Sequence, residues 1–299
     1  MGTKIEKNRI ALMDLGSNSS RMTIFEIDGS SFAPVKKYRD YVRLSEGLQE
    51  TGTLSLAPMQ RTIASLVGFV KKAKGKKADK MILLATEAVR RAENKEEFLS
   101  LVQSATGLTV QILPGEKESY YDYLGSKELV GEKGVLLDVG GGSFELVCVS
   151  GGNVVFDACL PEGSVVTKDR FLDCEKELLP YFTEKFQSMI PETVKGGSFV
   201  ALGGTARAAH TLLCGEKPKK KDAHGQIVSK DDLYALYQRI AALSVEERRN
   251  LPIVGEERGD ILLSGLAPLV AAASVLNADM ILSSHGVREG FLREYIQNL

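Results

Sequence analysis

"DVGGGSFELV", Asp138 to Val147, is the stretch on which the reading of this sequence turns. The apolar run "GVLL" ends on Asp138, three glycines and Ser143 follow, and "SFELVCV" then alternates as a strand does. No helix follows the glycines, so this is not the dinucleotide fingerprint, which needs strand, glycine turn and helix in succession. It predicts a hairpin whose tip is bare backbone. Successive uncovered N–H groups form an anion nest, and glycine permits the positive φ angles such a tip can require. Asp138 either caps the turn's own N–H groups or faces the anion. In the second case a hard cation such as Mg2+ must lie between the two sets of oxygens. Glu145 shares a strand face with Val147 and Val149, so it is either at a wet strand end or held there for a purpose.

The pattern occurs once before. "MDLGSNSSRMTIFEIDG" starts at Met13 and "LDVGGGSFELVCVSGG" at Leu137. At a constant offset of 124 residues Asp14 aligns with Asp138, Gly16 with Gly140 and Ser19 with Ser143, while Glu145 falls on Arg21. Similar elements surround each start. In the first half "RIALMDL", "RMTIFEI" and "FAPVKKYRDYVRL" read as strands. A helix follows from Pro58 with Ile63, Leu66, Val67 and Val70 on one face, then the strand "KMILLAT". "NKEEFLSLVQSAT" opens on an Asn-x-x-Glu capping box, "TVQIL" is a strand, and a helix runs from Pro114 towards Leu129. The second half repeats three strands, helical stretches over 167–190, the strand "SFVAL" and a glycine turn with its helix. Two Ser-x-x-acid helices come next, then the long apolar helix "ERGDILLSGLAPLVAAASVL", expected to bend near Pro268, the strand "ADMILSS" and a closing helix. The expectation is an α/β chain of two duplicated domains, 1–124 and 125–299, around a central cleft, with the closing helix packing back on the first domain.

Composition narrows the function classes. At 299 residues the chain suits two domains of ordinary size. A net charge of −1 supplies no global field for nucleic acid or anionic lipid, so neither is expected as a partner. No apolar run approaches the roughly 20 residues of a membrane span. The N-terminal "MGTKIEKNRIALMD" has no apolar signal segment, and Gly2 sits in no convincing lipidation motif. Four scattered cysteines without CxxC indicate neither a zinc site nor a disulfide framework, which fits a reduced cytoplasm. Three histidines do not suggest a His-rich metal centre. The lysine run at 217–221 reads as a solvated loop.

Three further stretches carry chemistry. "LGGTARAAH", Leu202 to His210, is a glycine turn that a helix does follow, which suits phosphate at the helix N-terminus or is plain strand-to-helix turn chemistry. His210 lies on the helix body as a structural residue. "LPGEKESYYDYL" places Glu116 and Glu118 near a first helical turn, where acids complement the dipole or supply a general base. Arg90 and Arg91 in "LLATEAVRRAENKEEF" have the planar fork that suits phosphate oxygens, or are surface arginines.

In their order and spacing these motifs resemble the exopolyphosphatase / guanosine pentaphosphate phosphohydrolase (Ppx/GppA) family. The resemblance runs from "IALMDLGSNSSRMTIFEIDG" through "LPGEKESYYDYLG", "VLLDVGGGSFELVCVSGG", "LPEGSVV" and "FVALGGTARAAH" to "ADMILSSHGVREGFL". It implies two RNase H-like domains of the actin/Hsp70/sugar-kinase superfamily. It implies a Mg2+-dependent hydrolase that removes the terminal phosphate from polyphosphate or guanosine pentaphosphate. By position, Glu116 matches the glutamate that activates water, and Asp138 and Glu145 match the acids that organise Mg2+. Gly140, Gly141, Gly142 and Ser143 match the first phosphate loop, and Gly203, Gly204 and Thr205 the second. Arg90 matches an arginine near the phosphate chain, and Asn18 and Ser19, with Ser17, the turn of the first domain. The resemblance also implies a homodimer. Lys117 stands where an acid is common, and Arg21 and His285 receive no role. The competing readings are an ATP-binding phosphotransferase or ATPase of the same fold, and a non-catalytic polyphosphate- or nucleotide-binding module.

Overall fold

The computed structural model describes residues 8–172, 174–215, 223–252, 254 and 256–298. Gly2 and the lysine run at 217–221 lie outside the described residues. Contacts gather the chain into two compact units, Met1–Pro114 with Leu292–Leu299, and Gly115–Phe291. The boundary expected at 124/125 falls inside a helix of the second unit.

The first unit is a five-stranded sheet with helices. Its strands are β1 (Asn8–Leu15), β2 (Ser19–Asp28), β3 (Ser31–Tyr41), β4 (Lys80–Ala85) and β5 (Val110–Ile112), in the order β3-β2-β1-β4-β5. β1, β2 and β3 form an antiparallel meander, and β4 and β5 join β1 in parallel. The helices are α1 (Leu48–Thr51), α2 (Leu56–Gly75), α3 (Glu87–Arg91) and α4 (Lys95–Thr106). Met59, Thr62, Leu66, Phe69 and Ala73 recur at three- and four-residue steps and form the buried stripe of α2. Val67, expected on that stripe, lies off it and is exposed. The expected Asn-x-x-Glu box at α4 does not form. Asn94 instead holds the Leu54 backbone, accepting its N–H at 2.8 Å and donating to its carbonyl at 3.0 Å.

The second unit repeats the same order with one strand added. Its strands are β6 (Gly134–Val139), β7 (Phe144–Ser150), β8 (Asn153–Leu160), β9 (Ser198–Leu202), β10 (Gln226–Val228) and β11 (Met280–Leu282), arranged β10-β11-β9-β6-β7-β8. β6, β7 and β8 are again an antiparallel meander, β9 and β11 run parallel to β6, and β10 closes the edge antiparallel. Its helices are α5 (Gly115–Val130), α6 (Ser164–Arg170), α7 (Leu178–Met189), α8 (Gly203–Cys214), α9 (Lys230–Ala241), α10 (Val245–Arg249), α11 (Glu256–Gly259), α12 (Leu262–Leu276) and the start of α13 (Val287–Gln297), whose residues from Leu292 onward group with the first unit. The long apolar helix of the sequence reading is thus two helices, broken at Asp260–Ile261, and α12 runs on through Pro268. Ser229 and Ser244 cap α9 and α10 as their Ser-x-x-acid pattern predicts.

This sheet is covered on both faces. Phe144, Leu146 and Cys148 of β7 join the core formed with Phe182 and Phe186 of α7 and the apolar side of α12. Val147 and Val149 on the opposite face pack with Leu136, Val200 and with Tyr123 and Val130 of α5. Glu145 belongs to that second face, so α5 decides its environment. It is not at a wet strand end: it is 2% exposed.

Candidate active site: a buried acidic cluster beside two glycine turns

The hairpin register puts Asp138 of β6 directly opposite Glu145 of β7. At the equivalent place in the first unit Asp14 stands opposite Arg21. Opposite charges in such a pair stabilise a sheet by roughly 0.2–1 kcal/mol, and like charges oppose pairing. The cost at Asp138–Glu145 is increased by two more acids. Glu118 and Asp122 lie four residues apart on α5, on its buried side. Carboxylate oxygens of Asp122, Asp138 and Glu145 come within 4.8 Å of one another, and so do ligand atoms of Glu118, Glu145 and Cys159.

Burial raises the Glu145 carboxyl well above the ordinary carboxylate range, and Glu118 and Asp138 push it the same way. Two donors oppose this: Ser143 Oγ gives a hydrogen bond to Glu145 Oε1 at 2.7 Å, and Cys159 Sγ gives one at 3.2 Å. Asp122 is raised well above the ordinary range by burial and then by Asp138, Glu145 and Glu118, and only the Val287 backbone N–H favours its charged form. Several buried carboxylates that repel one another constitute a donor set of oxygens, which fits a hard divalent cation. These residues are therefore a suitable place for the metal implied by the sequence.

The first glycine turn is built to point its N–H groups one way. The carbonyls of Gly140, Gly141 and Gly142 accept bonds from Ser164, Val165 and Gly163 N–H at 2.9, 2.8 and 3.1 Å. The peptides are trans, so the N–H groups of Gly141, Gly142 and Ser143 point away from that segment. Ser164 Oγ also donates to Gly140 O at 3.0 Å, and Ser264 Oγ of α12 donates to Ser164 O at 2.6 Å. Close approach, rather than a positive φ, explains why glycine occupies Gly140: a β-carbon there would stand 2.9 Å from Ser143 O. Neighbouring Gly163 lies against the loop itself, where a β-carbon would meet Gly141 C at 2.5 Å.

The second turn starts α8 beside Asp138. Gly203 has φ 93°, and a β-carbon on it would stand 2.6 Å from Asp138 Oδ1. Gly204 lies under the Arg258 guanidinium, whose Nη2 would be 2.0 Å from a β-carbon there. Thr205 is buried against Gly265 of α12. Adjacent residues of α12, Ser264 and Gly265, thus back both glycine turns.

Of the residues singled out in the sequence, the second unit brings together Asp138, Glu145, Ser143 and the two glycine turns. Glu116 is exposed in the first turn of α5, and Glu118 rather than Glu116 reaches Glu145. In the first unit, Asn18 and Ser19 are buried in the turn that corresponds to Gly142 and Ser143. Asn18 O accepts the Val42 and Arg43 N–H groups, and its Nδ2 has no hydrogen-bond partner among the described residues. Arg21 Nε donates to Ser19 Oγ at 3.2 Å. Arg90 donates to Leu113 O at 2.7 Å, while Glu87 takes Ser17 Oγ at 3.2 Å and Arg91 at 2.9 Å. Sequence reasoning missed Asp122 and Arg258. The available signal for Asp122 was an acid four residues after Glu118 in a helix that otherwise presents Tyr121, Tyr123 and Leu124.

A family model described as the Ppx/GppA phosphatase family matches residues 23–299. A guanosine-5'-triphosphate,3'-diphosphate pyrophosphatase of Photobacterium profundum is 28% identical over 99% of this chain and 61% of its own length. The chain thus spans less than two thirds of that relative. A solved Ppx/GppA family member of Aquifex aeolicus is 26% identical with a TM-score of 0.79, covering 97% of this chain and 98% of that one. An exopolyphosphatase from Cytophaga hutchinsonii shares the fold, with a TM-score of 0.87 at 18% identity over 98% of this chain and 99% of that one.

Proposed function

The chain belongs to the Ppx/GppA phosphatase family, and from that premise we propose that it is a divalent-metal-dependent phosphohydrolase removing the terminal phosphate of inorganic polyphosphate or guanosine pentaphosphate. The observation that carries the reading is the like-charged pair Asp138–Glu145, Asp138 half-buried and Glu145 buried with Asp122 and Glu118, beside a turn that aims three N–H groups in one direction. A carboxylate cluster alone would repel a phosphate, and a nest alone would not need the acids. Together they accommodate a metal–phosphate pair.

In this reading Gly140–Ser143 and Gly203–Thr205 bind phosphate oxygens through backbone N–H groups, the second set at the positive end of α8. Asp138 and Glu145, joined by Asp122, hold Mg2+. When bound, the ion supplies positive charge to the phosphate oxygens. Glu118 takes a proton from water, whose oxygen forms a bond to the terminal phosphorus. The bond from that phosphorus to the bridging oxygen breaks, and its electron pair stays with the bridging oxygen. Orthophosphate and a chain shorter by one phosphate result. Geometry favours Glu118 over Glu116 as the base because it is the one beside Glu145. Ser143 orients Glu145 through its 2.7 Å hydrogen bond. Asn18, Ser19 and Arg90 remain phosphate ligands of the proposal, supported at Asn18 by a buried Nδ2 that has no hydrogen-bond partner among the described residues.

The further reading is a homodimer in a reduced cytoplasm. None of the four cysteines is in a disulfide, which supports the setting, and light scattering at twice the chain mass would support the dimer. The deciding measurement is phosphate release with Mg2+ from short polyphosphate, long polyphosphate, guanosine pentaphosphate and ATP. Release from polyphosphate or pentaphosphate, strongly reduced by Glu118→Gln and abolished by chelator, is expected. Equal turnover of ATP would favour an ATPase, and binding without turnover a sensing module.

A further inference from the structure

Only three histidines occur in the sequence, and composition argues against a histidine metal centre. Folding brings two of them together. His224, in the turn before β10, and His285, between β11 and α13, stack with ring centroids 4.2 Å apart and planes 29° apart. Glu128, near the end of α5, faces both: its Oε1 is 3.5 Å from His224 Nε2 and 3.5 Å from His285 Nδ1. We infer that Glu128, His224 and His285 form a separate metal site, one that takes a borderline transition metal such as Zn2+.

Geometry comes first. Ligand atoms about 2.0–2.1 Å from a tetrahedral Zn2+ stand about 3.3–3.4 Å from one another. Both measured edges are 3.5 Å, and all three ligand atoms lie within 4.8 Å of one another. Because the two rings are stacked, their in-plane lone pairs run side by side, and an ion entering the triangle turns at least one imidazole out of the stack to bring both nitrogens onto it. The three side chains are partly covered, Glu128, His224 and His285 being 42%, 23% and 35% exposed.

Ligand chemistry separates this site from the acidic cluster. Two imidazole nitrogens and one carboxylate select Zn2+, Ni2+ or Cu2+, whereas an all-oxygen set suits Mg2+. The surroundings hold the ligands in place. Ser126 Oγ of α5 lies 2.9 Å from Ser283 Oγ, and both hydroxyls lie within hydrogen-bond reach of His285 O, at 3.0 and 2.9 Å. The segment that bears His285 is thereby fastened to the helix that bears Glu128. His224 Nδ1 accepts the Ser284 N–H at 3.3 Å and stands 3.4 Å from Ser283 Oγ. Coordination through Nε2 moves the ring proton to Nδ1, where Ser283 Oγ accepts it and the Ser284 contact is released. The Ser284 N–H holds the metal-free ring in the Nε2–H tautomer, so metal binding at His224 displaces the Nε2 proton and exchanges the Ser284 contact for the Ser283 one.

The site also bears on the acidic cluster. Gly286 follows His285 and lies against Asp122, where a β-carbon would stand 2.9 Å from Asp122 Oδ1. The backbone N–H of the next residue, Val287, lies close enough to favour the charged form of Asp122 without forming a hydrogen bond to it. A metal on His285 and Glu128 ties that segment to α5 at both ends.

The test uses the full chain, stripped with chelator and then saturated with Mg2+. Zn2+ is titrated by calorimetry, and Co2+ is followed by its visible absorption. One Zn2+ per chain, the intense Co2+ bands of four-coordination, and weakening of about tenfold or more in both His285→Ala and Glu128→Gln are expected. Asp138→Asn leaves the affinity unchanged. No Zn2+ binding in the presence of Mg2+, an affinity unaltered in both variants whose circular dichroism matches the parent, or loss of the site in Asp138→Asn would each overturn the inference. Phosphate release is not the readout, so the outcome is independent of the proposed hydrolase activity.

Discussion

Asp138 and Glu145 face each other across an antiparallel ladder, where the corresponding pair of the first unit is Asp14 and Arg21. One repeat neutralises the position within the chain, and the other places two acids there and adds Glu118 and Asp122 from α5. The difference accounts for why, among the described residues, the all-carboxylate cluster lies in the second unit, and it makes the cluster sensitive to charge removal.

Without metal, Asp122→Asn should stabilise the protein, because it removes one repelling carboxylate from a closed site. A gain of about 1–2 kcal/mol in chelator is expected from the behaviour of buried ionic groups. Mg2+ should stabilise the parent chain by about 2.7 kcal/mol at a hundredfold excess over its dissociation constant, and the variant by less. Urea titrations with chelator and with Mg2+ measure both, and a destabilised variant in chelator would contradict the idea.

The pH dependence of stability in chelator has a definite sign. Glu145 and Asp122 are raised by burial and by neighbouring acids. The folded chain therefore binds more protons than the unfolded chain above the ordinary carboxylate range, and stability falls as pH rises from there towards the raised folded values. Unfolding curves across mildly acidic to neutral pH check this. Stability that climbs over that window would oppose it.

Glu118→Gln should reduce phosphate release by about 10²–10⁴-fold, the usual worth of a general base. Glu116→Gln should change it only a few-fold, since Glu116 is exposed and outside the cluster. Steady-state rates on polyphosphate decide between them, and a larger loss at Glu116 would restore the assignment implied by the sequence.

The two glycines of the second turn should fail in different ways. Gly203→Ala forces a positive φ on alanine and pushes a methyl group into Asp138 Oδ1, at a cost of about 1–3 kcal/mol from the backbone alone. Gly204→Ala meets first the guanidinium end of the Arg258 side chain rather than backbone. Its expected signature is a raised KM with near-parental stability, read from kinetics and denaturation together.

Cysteine labelling should divide the thiols by environment. Cys148 is buried on β7, and burial pushes its thiol up to about 12. Cys174 and Cys214 are exposed. At mildly alkaline pH a disulfide reagent should label the exposed pair within the time that leaves Cys148 unmodified, and denaturation should release it. Mass spectrometry of the labelled peptides identifies the sites.

Much of the fold was legible because it is local. The alternation of "SFELVCV" assigned Phe144, Leu146 and Cys148 to one face, and those residues form the core against α7. Ser229 and Ser244 announced their helices by hydrogen bonds that close within three residues. Asn94 broke the same rule because its amide found a better, doubly bonded partner in Leu54, 40 residues away in sequence. Val67 was misplaced since a period of 3.6 locates an apolar stripe only to within a neighbouring residue.

By itself the sequence determined the repeat, the two glycine turns, and the acids at Asp138 and Glu145. These follow from spacing along one chain and from what a bare backbone permits. Only tertiary structure decided that α5 covers the Glu145 face, that Glu118 and Asp122 are brought there while Glu116 is not, that Arg258 lies on Gly204, and that His224 and His285 share one carboxylate. The reason is physical: a carboxylate's role depends on which charges lie within a few ångströms and how much water remains, and packing between distant segments sets both.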